Sequence, residues 1–125
     1  MKGKVSNMAE YNGWKNWETW NINLMYGDIF CEQAQEMFDN LDYSIVFSQG
    51  IEQLKMIFCK QLSNVMKSTI EDDAFEFIGK RTDSIFCSII LESISIVDFY
   101  DIASNLWDTI DQSKLEEFKQ EQEQE

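Results

Sequence analysis

Apolar residues recur at every third or fourth position through most of this chain, and that spacing is the period of an amphipathic α-helix. Proline, which would interrupt such helices, is absent from the sequence. The pattern predicts an all-α fold, a compact single-domain bundle of about five to seven short helices. The clearest run covers about residues 48–67, where the apolar positions are Ile51, Leu54, Phe58, Leu62 and Val65.

Nothing in the composition divides the chain into two domains. Its 125 residues are the size of one ordinary domain, and a hydrophobic content of 44% is enough for one core. No stretch rich in glycine or serine separates two halves. We therefore predict one domain over residues 1–125, with a loose N-terminal arm over 1–12 and an acidic C-terminal helix and tail over 113–125.

Capping residues and glycines mark where the helices are expected to begin and end. Glycine is expected to end one helix at Gly27 and another at Gly79. The helix after Gly27 is then expected over about residues 29–40. Residues that can accept a hydrogen bond from a first helical turn stand before five apolar runs, at Asn16, Asp28, Ser68, Asp98 and Ser113.

Two short segments leave an alternative fold open. The segment YSIVF (43–47) is β-branched and aromatic, and SISIV (93–97) alternates like a strand. Pairing of the two as a two-stranded ribbon would make the fold α+β, whereas SISIV can also be the end of a helix and a turn. The helix before SISIV is expected to be buried on more than one face, through Ile85, Phe86, Ile89 and Ile90.

The cysteine and histidine content argues against a metal site. The chain has three cysteines without any C-x-x-C spacing and no histidine, so the usual zinc ligand sets are missing. Cys31, Cys59 and Cys87 each end an IFC triplet, and the triplets recur at intervals of 28 residues. We expect three core contacts and buried, reduced thiols, as in a cytosolic protein, and we predict no cofactor.

Signals for secretion, membrane insertion and catalysis are not found, so we expect a cytoplasmic protein that is not an enzyme. The commonest general base, histidine, is absent, and no nucleophile-elbow, phosphate-loop or zinc-protease motif occurs. Neighbouring acids at 71–73 and at Asp98 and Asp101 leave carboxylate-only catalysis as a third hypothesis. Both groups of acids lie at predicted helix starts, where the helix dipole stabilises negative charge.

Acidic side chains dominate the charge, with 23 aspartates and glutamates against 10 lysines and arginines and a formal net charge of −13. Such a field repels nucleic acids and membranes and attracts basic proteins, so a basic protein is the predicted partner. In the C-terminal third the spacing predicts acidic helix faces that could imitate duplex phosphates, with a merely solvated face as the alternative. The residues of this predicted acidic face are Asp98, Asp101, Asp108, Asp111, Glu116, Glu117 and Glu121.

The segment GWKNWETWN, residues 13–21, holds three of the four tryptophans. Two of them, Trp17 and Trp20, share a predicted helical stripe with Leu24, which is typical of core residues. Trp14 precedes the cap and can pack on the first turn. Because interfaces are also rich in Trp and Tyr, partner contact is the alternative role for the three tryptophans and for Tyr11.

The stretch NGWKNWETWNINL contains N-W-E-T-W-N, residues 16–21, and resembles the N-terminal signature K-N-[YW]-E-T-W-N of small proteins encoded by phages and other mobile elements. Those proteins are similar also in an I-A-x-x-L helix near their C-terminus, matched here by Ile102, Ala103 and Leu106. The resemblance covers about the first quarter of the chain and weakly the last helix. It implies a viral or mobile-element origin rather than a particular activity.

Together these features lead to one functional hypothesis and one alternative. The leading hypothesis is a non-catalytic phage-type protein that binds and inhibits or redirects a host protein, such as a defence or nucleic-acid-processing factor, in the host cytoplasm. In that role the acidic helices would mimic nucleic acid. The alternative is an oligomeric adaptor or structural protein, for example a homodimer, that associates through its aromatic N-terminal helix.

Overall fold

A computed structural model of the chain describes residues 13–79 and 85–123. All regular structure in these ranges is helical, which confirms the all-α prediction. The ribbon alternative is wrong, because residues 45–49 form a helix and residues 93–96 are the last turn of another. The six helices of the described ranges are α1 (Trp17–Asp39), α2 (Ile45–Gln49), α3 (Ile51–Ile78), α4 (Ile85–Ile96), α5 (Phe99–Trp107) and α6 (Ser113–Glu123).

Helix α1 begins where predicted and does not stop where predicted. The Oδ1 atom of Asn16 accepts a hydrogen bond from the Thr19 N–H at 2.8 Å, as an N-cap should. Gly27 lies in the interior of the helix. The rings of Tyr26 and Phe30, which flank Gly27 on the inward face, stack at 5.8 Å between centroids. Packing on both sides of the glycine outweighs its helix penalty of about 1 kcal/mol.

Replacing Gly27 by alanine is expected to stabilise the protein by about 0.4–1 kcal/mol, because alanine restricts the unfolded chain and suits a helix interior. A Cβ atom built at Gly27 meets no other atom within 4 Å. Urea unfolding of wild type and G27A would measure the difference. The control is Gly50→Ala, which is expected to destabilise because Gly50 has a φ of 99°. Destabilisation by G27A would contradict the continuous helix.

Helix α3 is a second case in which two expected helices are one. The predicted start at Ser68 is wrong, since residues on both sides of it, Met66 and Ile70, continue the same buried face. The predicted end is confirmed at Gly79, which has a φ of 66° and whose N–H donates to the Phe75 carbonyl at 2.9 Å. The bundle therefore contains two long helices rather than only short ones.

The core lies between α1, α3 and α5 and is built on aromatic rings. The ring centroids of Phe58 and Trp107 are 5.2 Å apart, and Phe38 lies 5.5 Å from Trp107. Helix α6 closes this core through the buried side chain of Leu115. The C-terminal helix is thus part of the packed bundle, and the fourth tryptophan is a core residue.

The three IFC triplets do not have the same environment. Phe30 and Phe58 are fully buried, but Phe86 is 70% exposed. Cys59 and Cys87 are buried and Cys31 is exposed, so the expectation of three equal core contacts is wrong. A spacing of four heptads preserves orientation only within one continuous helix, and these triplets lie in three separate helices.

Helix α4 departs most from the expected burial. Its inward face is carried by Cys87 and Ile94, whereas Ile85 and Ile89, expected to be buried, are exposed, and Ile90 is half-buried. Nothing in the described ranges packs over the outer face of the helix closely enough to bury it. Among the helices described, none has the length and apolar character needed to cross a bilayer.

Candidate binding surfaces

The N-W-E-T segment joins the start of α1 to the α4–α5 connection. Thr19 is fully buried, and its Oγ1 donates to Asn16 Oδ1 at 2.7 Å. The Thr19 Oγ1 atom also accepts a hydrogen bond from the Asp98 N–H at 2.9 Å. The Asn16 Nδ2 atom donates to the Ile96 carbonyl at 3.2 Å. The asparagine and threonine of the motif therefore have a structural role in this protein.

The tryptophans between these polar residues are less buried than expected. Trp17 is 51% exposed and Leu24 is 63% exposed, while Trp20 is half-buried, so the prediction that this stripe faces the core is wrong. The inward face of the helix start carries Thr19 and Ile22 instead. A stripe defined by spacing has the right period, but spacing does not say which side meets the other helices.

Trp14 packs against the edge of the core and lines a groove between α1 and α5, together with Ile102 and Leu106. Of the three tryptophans near the N-terminus, Trp14 is the one that packs against the buried core. Tyr11 and the N-terminal arm over residues 1–12 lie outside the described residues, as do the last two residues of the predicted acidic tail.

The four aspartates predicted to share one helical stripe do not do so. Helix α5 ends at Trp107, so Asp108 is its C-cap residue and Asp111 lies in the following loop. Asp98 is the N-cap of α5, accepts from the Asp101 N–H at 2.9 Å and lies 3.5 Å from Lys15 Nζ. Burial and the neighbouring Asp98 raise the pKa of the Asp101 carboxyl, which Lys15 partly offsets. Residues ten positions apart share a helix face only while the helix continues, and α5 ends before Asp108 and Asp111.

Asp111 is exposed and has a structural role at the start of α6. Its carboxylate accepts hydrogen bonds from the Ser113 hydroxyl and from the Ser113 N–H, and these bonds lower its pKa. The Gln35 side chain of α1 bonds both the N–H and the carbonyl of Asp111, each at 2.9 Å. The expectation that Ser113 precedes the helix as its cap is wrong, since Ser113 is itself the first residue of α6.

The glutamates of α6 are exposed, as are Asp108 and Asp111 between α5 and α6. Glu116 lies 3.9 Å from Lys119 in a surface ion pair. Glu117 and Glu121 are exposed, and within the described ranges no basic nitrogen lies within 4.0 Å of either carboxylate. Their spacing of four residues places both on one side of the helix.

An apolar groove between α1, α3 and α4 is a surface feature that the sequence did not reveal. It has a volume of about 450 Å³. A smaller recess that includes Trp17 shares Ile22 and Ile94 with it and extends it toward the start of α1. The signal in the sequence was the all-round apolar character of α4. The walls of the groove are formed by Ile22 and Tyr26 of α1, Ile70 and Phe77 of α3, and Ile89 and Ile94 of α4.

The charged groups that line this groove and its extension are acidic. Asp73 of α3 accepts a hydrogen bond from the Tyr26 hydroxyl at 2.8 Å, and this bond, with burial, raises the pKa of the tyrosine. Glu18 lines the smaller recess, at the first turn of α1. In the described parts of the chain no lysine or arginine lines the groove or its extension, and no group of three or more Cys, Asp or Glu side chains could hold a metal ion.

The fold and these surfaces define an acidic helical domain with an open apolar groove. The chain belongs to DUF7249, a family of unknown function, whose match covers residues 7–125. The comparison with curated proteins found no match, and neither did the comparison with solved structures.

Proposed function

We propose that this is a non-catalytic protein of a phage or other mobile element that binds a basic host protein in the host cytoplasm and inhibits or redirects it. A defence or nucleic-acid-processing factor is the class of target. The observation that carries the proposal is the uncompensated negative charge. The net charge is −13, and the ion pairs of the described residues involve only three carboxylates, those of Asp39, Asp98 and Glu116.

The charge supports recognition of a cationic surface. Carboxylates that are not neutralised within the molecule create a field that draws a basic partner and speeds its association. Glu117 and Glu121 project from a helix that Leu115 anchors in the core, so their positions are held without a partner. A protein cleft that binds nucleic-acid phosphates can accept such carboxylates in their place. This role needs no direct contact with nucleic acid or membrane and no cofactor.

The structure guides the choice of variants that can test this proposal. Asp98, Asp108 and Asp111 all lie at helix ends, so reversing their charges would disturb the fold. Ending the chain before α6 would remove the buried Leu115. The variant E117Q/E121Q removes two charges from exposed positions. Its matched control is E32Q/E36Q, because Glu32 and Glu36 have the same spacing and exposure on α1.

In a pull-down from bacterial lysate, we expect wild type to retain a basic protein at about 50 mM salt and to lose it at about 500 mM, since salt screens exposed charges. E117Q/E121Q should retain several-fold less of it, and E32Q/E36Q should match wild type. Mass spectrometry identifies the protein, and competition with duplex DNA tests whether its nucleic-acid site is involved. Capture that resists salt, or no capture of a basic protein, would contradict the proposal.

A second candidate is an oligomeric adaptor that associates through α1. The observation in its favour is the exposed apolar side of that helix, carried by Trp17, Leu24 and Met25. Light scattering in dilute solution separates the two candidates. A mass of about 15 kDa corresponds to the single chain of 14.7 kDa and rules out the adaptor, whereas a stable dimer favours it.

A further inference from the structure

The groove between α1, α3 and α4 has the length of a short helix. Helices α1 and α4 meet at one end, where Asn16 bonds the Ile96 carbonyl, and the groove continues along α1 toward Tyr26. From Trp17 to Tyr26 the wall spans ten residues, and the nine steps of 1.5 Å between them make about 13 Å along the helix axis. A bound helix whose apolar residues lie at i, i+3 or i+4, and i+7 spans about 10 Å. The groove can therefore hold two to three such side chains.

The walls and edges of the groove expose apolar side chains to water. Phe77 is 83% exposed and Ile89 is 54% exposed. Beside them, the outer face of α4 presents Ile85 and Ile96, and that helix carries a single charge, Glu92. Contiguous apolar surface around a concave feature is typical of sites that another protein covers.

The negative charge of the groove favours a positively charged occupant. Glu18 and Asp73 line it, and the described part of its lining has no cation. A second copy of the chain would bring another net charge of −13 against the first, and its own acidic groove lining. A segment that is apolar on one face and carries lysine or arginine beside that face fits both the apolar lining of the groove and its negative charge.

We propose that the α1–α3–α4 groove binds a short amphipathic helix of the partner protein, with its apolar side chains in the groove and lysine or arginine residues against Glu18 and Asp73. This inference rests on the proposed function, because it names the element of the basic partner that is recognised. The groove holds the partner, and the remaining acidic surface attracts it.

The probe for this site is a synthetic amphipathic helix of about 14 residues, with leucines at i, i+4 and i+7 and lysines on both sides of that face. Binding to the full chain is measured by fluorescence anisotropy of the labelled peptide. The charge control is the same peptide with glutamate in place of lysine. We expect the lysine peptide to bind in the micromolar range and the glutamate peptide to bind at least about tenfold more weakly.

Site-directed variants separate the groove from general attraction to an acidic protein. I89Q/F77Q places polar groups in the groove at exposed positions and is expected to weaken lysine-peptide binding at least about tenfold. The matched control is L24Q/F75Q, since Leu24 and Phe75 are also exposed but do not line the groove. This control should bind within about twofold of wild type. E18Q/D73N should weaken binding about three- to tenfold.

Equal binding by wild type, I89Q/F77Q and L24Q/F75Q would overturn the groove assignment, as would failure of the lysine peptide to bind at about 1 mM. A concentration-dependent dimer that I89Q/F77Q abolishes would assign the groove to a second copy instead.

The lysate pull-down tests the proposed function separately from the groove. If I89Q/F77Q still captures the salt-sensitive host protein, the groove inference fails and the proposed function stands. If no basic host protein is captured although the peptide binds in the groove, the proposed function fails.

Discussion

Phe58→Ala is expected to lower the free energy of unfolding by about 3–5 kcal/mol, because it removes a fully buried ring and leaves a cavity that its neighbours cannot fill. The Phe58 ring lies 5.2 Å from Trp107 and 6.5 Å from Phe38, between centroids. The three rings come from α1, α3 and α5, so the loss of the Phe58 ring removes its contacts with both of the other helices. Urea unfolding followed by circular dichroism measures the change.

The control is Phe77→Ala, in the same helix. That ring is 83% exposed, so its removal should change the free energy of unfolding by no more than about 0.5 kcal/mol. Similar losses for the two variants would mean that the aromatic core is placed wrongly. The tryptophan fluorescence should also change in the Phe58 variant and not in the Phe77 variant, because Phe58 is in ring contact with Trp107 whereas Phe77 is exposed.

Thr19→Val is expected to destabilise the protein by about 1–3 kcal/mol, although valine has nearly the same shape as threonine. The hydroxyl of Thr19 accepts from the Asp98 N–H and donates to Asn16 Oδ1. Valine would leave the Asp98 N–H without that acceptor next to a fully buried side chain. The link between the start of α1 and the start of α5 would therefore weaken, and thermal unfolding should occur at a lower temperature.

Thr109→Val is the comparison for this second experiment. Thr109 is an exposed residue whose hydroxyl donates to the Leu106 carbonyl of its own turn, at 3.1 Å, so the loss of this bond should cost no more than about 0.5 kcal/mol. If Thr19→Val proves equally mild, the Thr19 hydroxyl does not contribute to the stability of the α4–α5 connection.

In the proposed function, two kinds of surface contribute to partner binding in different ways. Exposed carboxylates act over a distance and chiefly raise the rate of association, whereas an apolar groove acts on contact and chiefly slows dissociation. The α6 variant and the groove variant should therefore differ in kinetics as well as in affinity. Removing Glu117 and Glu121 lowers the association rate, and replacing Ile89 and Phe77 raises the dissociation rate.

Local signals in the sequence predicted some helix ends correctly and others wrongly, for an identifiable reason. Asn16, Asp98 and Gly79 act as caps because each stands where an inward-facing apolar run begins or stops. Gly27 and Ser68 carry comparable signals, but buried residues continue on both sides of them. A cap or glycine contributes about 1 kcal/mol, which continued burial of large side chains exceeds.

The period of the apolar residues was sufficient to predict an all-α fold, because a spacing of three to four residues is a property of the helix itself. The net charge and the absence of histidine were likewise readable without a structure. Spacing could not tell which side of α1 and α4 turns inward. That choice depends on the whole arrangement of α1, α3 and α5, which buries Thr19 and Ile94 and leaves Trp17 and Ile89 in water. The groove is lined by residues of three different helices, so it is a property of their packing and not of any one segment.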